Sequence, residues 1–169
     1  VKIGVKSTLY GYIGNSRDEL KKLNENTDVI LVTYYPMNGD FTMKNPAIIR
    51  TDINELISLY TGKSIYFIEI GYSSSSVDKS SEEQQAEFIK QLFLAWDEHA
   101  SQIRLVNFLW LHDLSQEYAD SFQKYYGITD KKFTEYLRTL GLITYDGKEK
   151  LAFKALKIEA KNRGWSVVG

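Results

Sequence analysis

The chain has 169 residues, 43% hydrophobic and 14% aromatic, enough to bury one core and too apolar for a disordered segment. Lys plus Arg number 21 and Asp plus Glu 22, so no charge excess points to nucleic acid or another polyanion. The absence of Cys excludes disulfides, thiolate catalysis and Cys-ligated zinc, and no apolar run approaches the roughly 18 residues of a membrane span.

Nothing signal-like follows Val1, so the sequence reads as mature, truncated or a fragment and leaves the compartment open, a secreted one included. Val1 to Val5 is the first β-like segment. Ser16 is placed to cap a helix with Asp18 and Glu19 in its first turn and Leu20 and Leu23 on one face. Val29 to Tyr35 (VILVTYY) is the second strand, and a long loop runs from Pro36 to Arg50. Thr51 is then placed to cap a helix carrying Ile53, Leu56, Ile57 and Tyr60, ended by Gly62.

Ser64 to Ile70 (SIYFIEI) is the third strand. The loop from Tyr72 to Lys79 after it holds the serine patch Ser73 to Ser76, which reads as flexible. Ser80 with Glu83 fits a capping box, and Phe88, Ile89, Leu92, Phe93 and Trp96 form the helical stripe behind it. Ile103 to Trp110 (IRLVNFLW) is the fourth strand. Asp130 is placed to cap a helix with Phe133, Tyr136, Leu137 and Leu140 on one face, ended by Gly141. A last helix spans about Lys148 to Asn162, with Trp165 beyond it packing on the exterior.

The last three strands are apolar nearly throughout, as strands of a parallel sheet buried on both faces are. Alternation of such strands with helices is the pattern of an α/β fold. Four βα units supply half of an eight-unit barrel, which takes roughly 250 residues. Residues 1–169 are therefore expected to form one partial domain, half of a (β/α)8 barrel. The strand edges at Val1 to Val5 and Ile103 to Trp110 would then lack partners and invite another chain.

Glu69 is the sharpest chemical feature. It follows Ile65 and Phe67 at two-residue spacing, which predicts one shared strand face, and it ends the strand just before Gly71. A carboxylate sits cheaply in an apolar run only when paired, hydrogen-bonded or at a barrel mouth. The carboxyl end of a parallel barrel is its catalytic end. An ordinary structural glutamate is the competing reading. Tyr34 and Tyr35 end the second strand on opposite faces, so one of them is expected to face the lumen, where it could orient a carboxylate. Trp110 is in phase with Val106 and Phe108 and could floor a sugar subsite or simply pack in the core. His112 and Asp113 follow it as a weak candidate for a base or metal ligand. His99 reads as a helix-end residue. No glycine-rich phosphate loop follows a strand and no nucleophile elbow is present, so no nucleotide cofactor is indicated.

Tyr34 to Asn38 (YYPMN), Phe67 to Ser74 (FIEIGYSS) and the tail Gly141 to Leu156 (GLITYDGKEKLAFKAL) resemble the last half of clan A glycoside hydrolases, the endo-β-1,4-galactanases and cellulase-like barrels in particular. The resemblance runs from Val1 to about Arg163 and rests on the order of motifs. It implies that Ser64 to Ile70 is barrel strand seven with Glu69 as nucleophile. Tyr35 would then contact that nucleophile, and Trp110 would line the adjoining subsite. The clan's acid/base lies on strand four, outside this chain. The implied activity is retaining hydrolysis of a poly- or oligosaccharide without cofactor or metal. It would be incomplete in this chain until a first half-barrel or a second copy joins it. Tyr34 and His112 are further candidates for substrate contact. A non-catalytic carbohydrate-binding or scaffold barrel is the alternative. Another α/β hydrolase using His112 and Asp113 on a metal is a third reading, weakened by a total of two histidines.

Overall fold

A computed structural model describes residues 1–166. Four strands, β1 (Gly4–Thr8), β2 (Val29–Tyr34), β3 (Ser64–Ile70) and β4 (Ile103–Phe108), form one parallel sheet in the order β1-β2-β3-β4. Between and after them lie α1 (Leu9–Ile13), α2 (Arg17–Leu23), α3 (Ile48–Leu59), α4 (Glu82–Glu98), α5 (Gln116–Tyr126), α6 (Lys131–Arg138) and α7 (Leu151–Asn162). Parallel neighbours joined by helices, in sequential order, make this half of an α/β barrel.

The core lies between the sheet and the helices. Ile30, Val32 and Tyr34 of β2 and Ile65, Phe67 and Ile70 of β3 are buried there against Ile49, Ile53 and Leu56 of α3 and Phe88, Leu92 and Phe93 of α4. The opposite, lumen-side face carries Lys6, Leu31, Tyr66 and Leu105 in one row. Lys6 and Leu105 are exposed and the other two half-buried. The expectation of strands buried on both faces therefore holds for one face only. Within the described residues no strand stands across the lumen from this row.

Several boundaries differ from the sequence reading for local reasons. β1 begins at Gly4 rather than Val1, because Ile3 is anchored outside the ladder: its N–H donates to Asp28 Oδ2 at 2.8 Å. Gly4 then passes so close to β2 that a Cβ there would lie 2.6 Å from the Val29 carbonyl oxygen. β4 ends at Phe108, two residues early, because Trp110 turns into the left-handed region at φ 61. α3 starts at Ile48, so Thr51 lies inside it; Asn45 Oδ1 instead accepts the Ala47 N–H at 2.9 Å, with Pro46 entering the first turn. α4 is capped by Ser81, while Ser80 turns inward and donates to the Ser73 carbonyl at 2.6 Å. α7 starts at Leu151, after Lys150 is drawn into the interior. Asp130 caps α6 as expected, accepting from Lys132 N–H. The helices α1 and α5 were not anticipated.

Candidate active site

Glu69 reaches the lumen side by a β-bulge. Val32 pairs with Phe67 and the next residue, Thr33, pairs with Glu69, so Ile68 is an extra residue in β3. The inserted residue reverses the side-chain alternation. Glu69 thus lies on the face opposite Phe67, not on the shared face that two-residue spacing predicts. Asn107 on β4 holds the bulge, its amide donating to the Ile68 carbonyl at 2.9 Å.

Two groups hold the carboxylate. Lys6 on β1 places Nζ 2.6 Å from Glu69 Oε1, and the Tyr35 hydroxyl donates to Oε2 at 3.2 Å. Glu69 is 31% exposed and Lys6 52%. Burial, and secondarily the Glu69 carboxylate, push the Tyr35 phenol up, so it stays a hydrogen-bond donor across the physiological range. Gly71 explains how the Tyr35 ring reaches this position: a Cβ at Gly71 would lie 3.1 Å from Tyr35 Cε1. The ring packs edge-on against Tyr136, centroids 5.7 Å apart at 88°.

Trp110 also arrives by a route other than strand phase. Its left-handed backbone swings it off the end of β4 onto Phe122 of α5, with ring centroids 5.8 Å apart. Glu69, Tyr35, Trp110, Phe122, Tyr126 and Tyr136 then line one pocket of about 190 Å³. It is smaller than the roughly 300–1,000 Å³ of sites that enclose a whole ligand. Glu69 is the one carboxylate among the described residues that line it.

Two sequence candidates lie elsewhere. Tyr34 faces the helix layer, where its hydroxyl donates to Asp52 Oδ2 at 2.7 Å beside that of Tyr10 at 2.8 Å. Alternation past Thr33 puts Tyr34 in the core and leaves Tyr35 for the lumen. His112 is exposed and outside the pocket, its backbone bridged to Ile143. Asp113 turns away to the buried Lys150, whose Nζ lies 3.0 Å from Asp113 Oδ1 and 2.7 Å from the Gly141 carbonyl. Burial pushes the Asp113 carboxyl up and the Lys150 ammonium down. Among the described residues, no group of three His, Cys, Asp or Glu side chains could hold a metal ion. Trp165 lies as expected outside the sheet, against Trp96 and Phe93.

Sequence reasoning missed Lys6, Phe122, Tyr126, Phe133 and Tyr136 as neighbours of this pocket. For α5 the signal is present: Ser115 before a helix, then Tyr118, Phe122, Tyr125 and Tyr126 at helical spacing. For Lys6 the signal is weak, because only the lateral pairing of β1, β2 and β3 places it near Glu69.

The loop after β3 is tied down rather than loose. Ser73 Oγ donates to Asp78 Oδ2 at 2.6 Å and lies 2.8 Å from Thr139 Oγ1, and the Gln85 amide donates to the Tyr72 carbonyl at 2.8 Å. The flexible reading of Ser73 to Ser76 gives way to a polar knot around buried Ser73 and Asp78, with Ser74 and Ser75 half-buried and Ser76 exposed.

Neither a protein-family profile nor a curated protein matches this sequence. Solved structures do. The Faecalibacterium prausnitzii β-glucuronidase superposes with a TM-score of 0.67 at 13% identity, over 98% of this chain and 26% of that one. A β-glucuronidase from Ruminococcus gnavus, solved with D-glucuronic acid, gives 0.60 at 13% identity over 95% and 26%. The glycoside hydrolase family 17 β-1,3-glucanosyltransferase from Rhizomucor miehei gives 0.56 at 14% identity over 89% and 48%. At these identities the likeness establishes the half-barrel fold. The chain spans about a quarter of the glucuronidases and about half of the glucanosyltransferase.

Proposed function

We propose that this chain is the second half of a retaining β-glycoside hydrolase in which Glu69 is the nucleophile. One observation carries the reading: a strand-end carboxylate, turned to the lumen by a bulge, sits among aromatic rings with a tyrosine donor on one oxygen and an ammonium on the other. Lys6 and Tyr35 hold the two carboxylate oxygens in place, and a carboxylate so oriented is the group that attacks an anomeric carbon. Attack forms a glycosyl ester on Glu69 while a second carboxyl protonates the departing oxygen. The same carboxyl then activates the water that frees the sugar. That second group stands about 5–5.5 Å from the nucleophile in retaining enzymes. It is assigned to a segment outside this chain, either a first half-barrel or a second copy. The resemblance of the sequence motifs to galactanases and cellulase-like barrels points to a β-linked poly- or oligosaccharide, and the glycoside-active enzymes among the similar solved structures support a carbohydrate substrate in the coarser sense.

The test is covalent trapping. The protein in its full natural length is treated with 2-deoxy-2-fluoro glycosides and digested for mass spectrometry. The sugar is expected on the peptide carrying Glu69, with labelling and turnover both lost in Glu69→Gln. The 169-residue chain by itself is expected to show no turnover. A label on another carboxylate, or full turnover in Glu69→Gln, rejects the assignment. The Lys6 ion pair favours one second reading, a non-catalytic carbohydrate-binding barrel in which Glu69 accepts sugar hydroxyls. Sugar binding that survives Glu69→Gln, with no turnover at full length, would establish it.

A further inference from the structure

α5 breaks the rule by which this chain uses its large aromatics. Tyr12, Tyr34, Phe67, Phe88 and Phe93 are sealed in the core. α5 carries Tyr118, Phe122, Tyr125 and Tyr126, yet Ala119 is its one buried residue. Tyr125 is 80% exposed and Tyr126 57%. Single exposed aromatics are ordinary, but these are continuous. Phe122 lies 5.8 Å from Trp110; Tyr126 stacks on Phe122 at 6.3 Å and 16°; Tyr125 meets Tyr126 edge-on at 4.9 Å. The row starts inside the Glu69 pocket, which Trp110, Phe122 and Tyr126 line, and ends in solvent at Tyr125.

We propose that this row on α5 is a glycan track, and that the Glu69 site takes a chain of several neutral sugars rather than a single sugar. The proposal rests on the glycosidase reading of that site. Three features support it. The part of the pocket that this chain forms is too small to enclose an oligosaccharide, and α5 is the wall that leads from it into solvent. Ring faces are the complement of the C–H faces of pyranoses, and the tyrosine hydroxyls reach for the substituents. No Lys or Arg is among the described residues lining the pocket, and Lys6 is paired with Glu69, which favours a neutral sugar over a uronate at that point.

The experiment titrates the protein in its full natural length with laminari-, cello- and galacto-oligosaccharides, from monosaccharide to hexasaccharide, following tryptophan fluorescence. In one of the series, affinity is expected to rise with length. Tyr125→Ala is expected to weaken the hexasaccharide about fivefold with the monosaccharide unchanged. Tyr125→Phe, which keeps the ring face, is expected to retain the length dependence. Tyr145→Ala, at an exposed tyrosine in a turn away from α5, is the control and is expected to match the parent protein. Affinity independent of length overturns the track, and so does an equal loss for short and long sugars in Tyr125→Ala. Tighter binding of a glucuronic acid oligomer than of any neutral one also overturns it. So does a change of sedimentation in Tyr125→Ala without loss of sugar binding, which would make the row a contact between copies. Length-dependent binding without labelling of Glu69 keeps the track and removes the nucleophile; the reverse result removes the track alone.

Discussion

Asp78 offers a stability test of the knot beneath Glu69. It is fully buried, with Oδ2 accepting from Ser73 and Oδ1 without a hydrogen-bond partner. Its carboxyl is pushed up from 3.8 to about 6, by burial foremost, with the Ser73 hydroxyl and Lys132 opposing and Glu135 and Asp130 adding to the rise. A folded pKa above the unfolded one means the native state holds its proton longer. Between about pH 4 and pH 6 the folded chain carries one proton more than the unfolded chain, so unfolding free energy falls as pH rises. The slope is about 1.4 kcal/mol per pH unit, and across the window the loss is about 3 kcal/mol. The contribution is fully present below pH 4 and gone above pH 6. Asp78→Asn removes the titration and gives the orphan position a donor. Urea unfolding at pH 4, 5, 6 and 7.5 measures both proteins. The parent-minus-variant difference is expected to fall by about 3 kcal/mol from pH 4 to pH 7.5. A difference that does not change with pH would refute the account of Asp78.

Four further outcomes are expected. Gly141→Ala places a Cβ 2.2 Å from the Asp113 nitrogen and 2.3 Å from the His112 carbonyl carbon, both backbone atoms that cannot step aside; a loss of about 3 kcal/mol or more is expected, against almost none for Gly39→Ala, which faces open space, both read by urea midpoints. Lys150→Met leaves the Asp113 carboxylate and the Gly141 carbonyl without their buried partner and is expected to cost about 3–5 kcal/mol, most of it recovered when Asp113→Leu is added in a double-mutant cycle. Lys6→Met removes an ion pair open to solvent, so its stability change is expected to stay below about 1 kcal/mol by thermal melting while labelling of Glu69 slows. The edges of β1 and β4 lack strand partners among the described residues, and sedimentation is expected to show self-association; a monodisperse monomer would contradict that.

The order of elements was legible because each buried strand is an apolar run long enough to recognise, and β3 fell on Ser64–Ile70 as read. What escaped depends on lateral contacts. Lys6 lies beyond the strand that the sequence suggests, Val1 to Val5, and only the register Lys6, Leu31, Tyr66 shows which row it joins. Ser80 and Ser81 compete for one cap, and the chain resolved it by sending Ser80 to the buried Ser73 carbonyl. α5 was overlooked because its aromatics do not mark a buried stripe, which is the feature that makes helices legible. Trp110 comes to line the pocket beside Glu69 through a left-handed backbone that strand periodicity cannot foresee.

Ile68 decides whether Glu69 belongs to a core or to a site. With strict alternation Glu69 would share the face of Phe67 and lie against the apolar side of the helix layer, with Leu56 and Phe88 among its residues. A carboxylate there would lose hydration worth several kcal/mol without a partner. One extra residue sends Glu69 to the face of Lys6 and returns Ile70 to the core, where it pairs with Tyr34 in register and keeps the buried layer continuous. The apolar run of β3 can therefore carry a charge without breaking the packing that holds the strand. Bulges gather at barrel rims and beside reactive groups for this reason. The motif Phe67-Ile68-Glu69-Ile70 reads as a strand with a misplaced charge until the bulge is counted, and afterwards as a strand built to present one.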